Sequence, residues 1–116
     1  MLPIDDTKTL LSADDVIDVI AAIGDRDRLE VAYTVYDHPA EGVTVSEITA
    51  ELEATEDEVH ARVDALVDGG VIAERMACLV DCSIDGPQYE LTQFGRLLFE
   101  DGVLSLFDAA SAVSEL

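Results

Sequence analysis

Apolar residues recur every three or four positions along most of this chain, and short polar motifs suited to cap helices punctuate that rhythm. Ser12-Ala13-Asp14-Asp15 has the capping-box form, a hydroxyl at the N-cap and a carboxylate three residues later. Val16, Ile20 and Ile23 then fall on one helical stripe, flanked by Ile17 and Val19, until Gly24 stops the helix. A second predicted helix starts near Asp25, carries Leu29, Ala32, Tyr33 and Tyr36 inward, and ends before Pro39. Ala40-Glu41-Gly42 forms a short loop.

Thr44-Val45-Ser46-Glu47 is a second capping box and opens a helix with Ile48 and Leu52 as inner positions. After the brief Glu53-Ala54 turn, Thr55-Glu56-Asp57-Glu58 caps another helix, with Val59, Val63 and Leu66 inward and Gly69-Gly70 ending it. Two capped helices joined by so short a turn make a helix-turn-helix. From residue 71 to about 84 the period changes to two: Ile72, Met76, Cys78, Val80, Cys82 and Ile84 share a parity. Asp85-Gly86-Pro87 signals a turn, and Gln88-Tyr89-Glu90-Leu91 reads as the return strand of a hairpin, or wing. Thr92 caps a helix through Phe94, Leu97 and Leu98 that is expected to break at Gly102.

The tail, 103–116, places Leu104, Phe107, Ala110, Ser111 and Val113 at helical spacing. Such a stripe is too short to be stable alone and has no later element to cover it, so a two-fold partner is expected to do so. The fold class is thus mainly α with a small β-hairpin (α+β): residues 1–102 as a winged helix-turn-helix domain and 103–116 as a C-terminal dimerisation helix.

Charge changes the picture next. Six basic side chains, with Lys8 the only lysine, face twenty-six acidic ones, a formal charge of −20 at pH 7 on 116 residues. So large an imbalance destabilises a compact state through self-repulsion. Yet the chain is 49% hydrophobic, which is not the composition of a disordered acidic tail. A folded core wrapped in carboxylates is expected where salt is molar, because the screening length there falls to about 3 Å. The competing reading is an acidic protein of an ordinary cell that binds basic partners. No run of eighteen apolar residues is present, so no membrane span is expected, and the first eleven residues lack the basic start of a secretory signal. A cytoplasmic location is expected.

Ile23-Gly24-Asp25-Arg26-Asp27-Arg28-Leu29 resembles the opening of the second helix in ArsR-type winged-helix regulators. Val43-Thr44-Val45-Ser46-Glu47-Ile48, Val59 to Leu66, Gly70-Val71-Ile72 and Tyr89-Glu90-Leu91-Thr92 continue that likeness over roughly residues 16 to 95. PadR- and MarR-like regulators share the wing and the dimeric helices. Small regulators of this kind are numerous in halophilic archaea, some of them stress-responsive. The resemblance implies a homodimer that regulates transcription by placing its second helix-turn-helix helix in the major groove of double-stranded DNA. Where the family usually presents Ser, Gln, Arg and Lys, this chain has Glu56, Asp57, His60, Ala61 and Asp64, with Arg62 adding the one permanent cation.

Candidate DNA-binding residues are therefore Thr44, Ser46, Thr55, Glu56, Asp57, His60 and Arg62, with Arg75 and Gln88 on the wing. Carboxylates can accept from cytosine N4 but cannot neutralise phosphate. Backbone N–H groups at the Thr55 helix start, or salt cations bridging carboxylate to phosphate, are left to hold the DNA backbone. Arg28 has two readings, a phosphate contact or a partner for Asp25. An acidic protein-interaction module, or a mimic of DNA, is the alternative function.

Cys78 and Cys82 are a candidate redox pair, but four residues along one strand separates their Cα atoms by about 13 Å. A disulfide needs less than about 7 Å, and ordinary apolar packing is the competing account. The metal-sensing patterns of ArsR relatives have no counterpart, since 44–52 hold no cysteine and 103–116 no histidine. With no phosphate loop, nucleophile elbow or triad context either, the chain is expected to be neither an enzyme nor dependent on a cofactor.

Overall fold

The structure, a computed structural model, describes residues 13–38, 42–75 and 87–114. In chain order these form α1 (Ala13–Ile23), α2 (Arg26–Asp37), β1 (Val43–Thr44), α3 (Val45–Glu51), α4 (Glu56–Asp68), β2 (Ile72–Arg75), β3 (Gln88–Leu91) and α5 (Gln93–Leu98). One turn of π-helix, Phe99–Val103, then leads into α6 (Leu104–Ser114). The result is mostly helical with a small antiparallel sheet, as the pattern predicts. The first capping motif at Ser12, the cysteines Cys78 and Cys82 and the turn at Asp85-Gly86 lie outside the described residues.

The core is built where α2, α3 and α4 converge. Val31, Ile48, Val59, Val63 and Leu66 are fully buried together with Val71 and Phe99. Each of these side chains contributes about 1.5–3 kcal/mol through removal from water. Gly70 adopts φ 83°, a left-handed conformation open to glycine at little steric strain, and reverses the chain from α4 into β2.

Two helices sit differently from the predicted stripes. On α1 the buried residues are Val19 and Ala22, while Ile20 is 53% and Ile17 49% exposed. Nearly every position from Val16 to Ile23 is apolar, so periodicity there cannot choose a face; the packing against α2 and α4 does. On α2 the inward residues are Val31, Ala32, Thr34 and Val35, with Tyr33 turned to the surface. Thr34 is tolerated inside because its hydroxyl donates to the Glu30 carbonyl at 2.8 Å.

The wing is a three-stranded sheet of order β1-β3-β2 rather than a bare hairpin. Val43 pairs with Tyr89 and Thr44 with Gln88 on one side of β3; Ile72 pairs with Leu91 and Arg75 with Gln88 on the other. On β3 Tyr89 and Leu91 are buried while Glu90 faces solvent, the alternation of a sheet with one wet face. On β2 Ile72 is buried, and Glu74, opposite Tyr89 on that same face, is exposed toward the strand's end. Gly102 does not break the last helix. The chain passes through it as a π turn, in which the Leu104 N–H reaches the Phe99 carbonyl, and continues as α6.

Candidate nucleic-acid interface

Both helices of the helix-turn-helix begin with a complete capping box. The Thr44 hydroxyl accepts from the Glu47 N–H at 3.2 Å, and the Glu47 carboxylate accepts from the Thr44 N–H at 3.1 Å. Thr55 and Glu58 repeat this at 3.2 and 3.3 Å. The turn between them is short because Leu52 and Ala54 pack on the core and the Ala54 N–H donates to the Leu52 carbonyl. Hydrogen bonds from the Thr55 backbone and hydroxyl, with the Arg62 charge adding less, hold the Glu58 carboxyl below its ordinary value. Burial, with the charges of Glu74 and Asp64, pushes the Tyr89 phenol up.

The structure brings most of the sequence candidates together and separates others. Glu56, Asp57 and His60 are exposed at the N-terminal end of α4, with Ala61 and Asp64 further along it. Ser46 of α3 joins them, donating to the Glu56 carboxylate at 3.1 Å. Thr55 is exposed but its hydroxyl serves the cap. Thr44 is 8% exposed and its hydroxyl likewise caps α3. Arg75 and Gln88 form a cross-strand pair at the start of the wing, half-buried, and their side chains lie against Gly42.

Arg62 is turned toward α2. Its side chain is 20% exposed and its Nη2 lies 3.3 Å from the Glu58 carboxylate and 3.5 Å from that of Asp27. The N-terminal end of α4 therefore presents carboxylates and an imidazole. No group of three or more His, Cys, Asp or Glu side chains able to hold a metal occurs among the described residues.

Three features escape sequence reasoning. Arg28 donates to the carbonyls of Ala22 at 2.6 Å and Ala21 at 3.2 Å, capping the C-terminus of α1. This is a structural contact, made to backbone six residues back instead of to the Asp25 side chain. His38 Nε2 lies 3.3 Å from the Glu47 carboxylate, linking the end of α2 to the α3 cap. Tyr36 stacks on Phe99 with ring centroids 5.4 Å apart, and the Arg96 guanidinium lies 5.9 Å from the Tyr36 ring.

The expected dimerisation residues all lie on α6. Leu104 is half-buried; Phe107, Ala110, Ser111 and Val113 are exposed, as is Leu106 at 72%, which the sequence reading omitted. An open groove of about 690 Å³, lined by Leu29, Tyr33, Leu52, Phe99, Leu104 and Phe107 among others, runs beside them. No helix among the described residues is long and apolar enough to cross a membrane.

No family model and no curated protein matches the chain by sequence. Solved structures do resemble it in shape. The winged helix-turn-helix DNA-binding domain of Mb0332 from Mycobacterium bovis, a homodimer and a possible ArsR-family transcriptional regulator, superposes with a TM-score of 0.66. That match covers 100% of this chain and 96% of that one at 20% identity. The transcriptional repressor BigR from Xylella fastidiosa superposes with a TM-score of 0.60 at 16% identity, over 84% of this chain and 88% of its own. At these identities it is architecture that is shared. The chain has the winged helix-turn-helix fold, its C-terminal helix included.

Proposed function

We propose that this chain is a sequence-specific double-stranded DNA-binding transcription regulator that works as a homodimer in a high-salt cytoplasm. One observation carries the reading: α4 buries Val59, Val63 and Leu66 completely while its opposite face, Glu56, Asp57, His60 and Asp64, does no work in the core. A helix anchored in that way, behind a short turn and followed by a wing, can enter a major groove without disturbing its support. The two solved structures of the same architecture, a repressor and a DNA-binding domain, support it.

Residues 1–102 supply the reading unit and 103–116, with α6, the two-fold contact. Ser46, Glu56, Asp57 and His60 meet base edges, Thr55 holds the cap that presents them, and Arg75 and Gln88 approach from the wing. Phosphate is held by α4's first N–H groups or by bridging salt cations, so counterion release contributes little. Fluorescence anisotropy against genomic duplexes, titrated from dilute buffer to molar KCl, tests this. Binding that survives or strengthens with salt supports the mechanism, and a steep loss refutes it. Two half-sites about 34 Å apart are expected for a dimer.

The carboxylates of α4 favour a second reading, an acidic module that binds a basic protein partner or mimics DNA. In that case every duplex fails at every salt concentration. A redox response rests on Cys78 and Cys82; equal DNA affinity for oxidised, reduced, Cys78→Ser and Cys82→Ser protein removes it.

A further inference from the structure

We infer that Arg62 is a positioning residue that clamps α4 onto α2 and sets how the reading face is presented, rather than a phosphate contact; this rests on the DNA reading above. Arg62 is the one arginine on α4, which has no lysine. Were it a phosphate ligand, it would need to reach outward. Instead four-fifths of its side chain is covered and its Nη2 sits between two carboxylates, Glu58 on its own helix and Asp27 in the first turn of α2.

Glu58 is itself tied to the Thr55 N–H and hydroxyl. Asp27 sits between Asp25, whose carboxylate caps the start of α2, and Arg28, which grips the end of α1. The resulting line, Thr55 to Glu58 to Arg62 to Asp27, joins the tip of α4 to the α1–α2 corner. Swinging out to a phosphate would leave Asp27 and Glu58 uncompensated beside another anion.

The experiment uses a duplex selected from a random library by the wild-type chain, and compares Asp27→Asn, Arg62→Gln, Arg62→Lys and the double variant Asp27→Asn/Arg62→Gln. Asp27→Asn is the decisive arm, because removing a negative charge from so acidic a protein should by itself tighten DNA binding. The clamp requires the opposite. Asp27→Asn and Arg62→Gln each weaken binding about threefold, the effect expected of a partly exposed ion pair. The double variant is no weaker than either, Arg62→Lys recovers part of the loss, and the salt slope stays unchanged. Tighter binding by Asp27→Asn, or a slope altered by about one in Arg62→Gln, overturns the proposal, since that is the signature of a phosphate contact.

Thermal unfolding of the same variants without DNA supplies the independent arm. Non-additive shifts in Tm are expected for Asp27 and Arg62, and additive ones overturn the clamp whether or not DNA is bound. A selection that recovers no duplex while the coupling persists overturns the DNA reading instead.

Discussion

A single hydroxyl, that of Thr92, ties the wing to the helices. It donates to the Gly70 carbonyl at 2.7 Å, with the Val71 carbonyl at 3.2 Å, and accepts from the Gly95 N–H at 2.9 Å. The Thr92 N–H donates to Val71 as well, so the start of α5 is pinned to the corner between α4 and β2. Gly95 permits that closeness, because a Cβ there would run into the Val71 carbonyl. Thr92→Ala removes a helix cap and leaves the Gly70 carbonyl without this donor, a loss of about 2 kcal/mol. Thr92→Ser keeps the oxygen and retains most of the stability. Urea midpoints of the two variants at one salt concentration check this, and equal midpoints would mean that water replaces the hydroxyl without penalty.

Among the elements, the helix-turn-helix was the most legible. Thr44 to Glu47 and Thr55 to Glu58 declare the caps, and Val59, Val63 and Leu66 declare the inner face, because caps and stripes are local signals. What sequence could not supply was set by contacts distant along the chain. Strand β1 is two residues long, carries no period of its own, and exists by pairing with β3. The face of α1 is chosen by its neighbours, and Arg28 and Arg62 find partners on other turns and other helices. The α4 cap carries its own pH dependence. Its Glu58 carboxyl titrates below the ordinary 4.5 in the fold, first because of the Thr55 hydrogen bonds and then because of Arg62. A lowered folded value means that this group's stabilisation is complete above about pH 4.5 and is lost as pH falls through the folded value. Glu58→Gln keeps an acceptor but has no charge to lose. Its Tm should fall less than wild type between about pH 5 and 3. Relief of general repulsion is common to both proteins and cancels in the difference.

For the whole molecule, two expectations follow from what lies on the surface. Leu106, Phe107 and Val113 are 72, 56 and 68% exposed along α6, and a short helix so placed is marginal in water unless something covers it. Replacing Leu106 and Phe107 together by Glu leaves the described core untouched, so light scattering should report a folded protomer for the variant and a dimer for wild type. Charge sets the second expectation. Twenty carboxylates in excess repel one another over about 10 Å in 0.1 M salt, but over only about 3 Å at 1 M. The unfolded chain spreads those charges apart, so dilute buffer penalises the folded state more. Tm should therefore climb as KCl rises toward about 1 M, where repulsion beyond contact distance is already screened. NaCl should act much as KCl does if screening is the cause, whereas a strong difference between them would point to bound cations. The same rise is expected of any fold carrying a charge of −20, so it tests the repulsion, while the DNA titration tests the partner. The double Glu variant, two charges more acidic, should therefore need more salt than wild type to reach the same Tm.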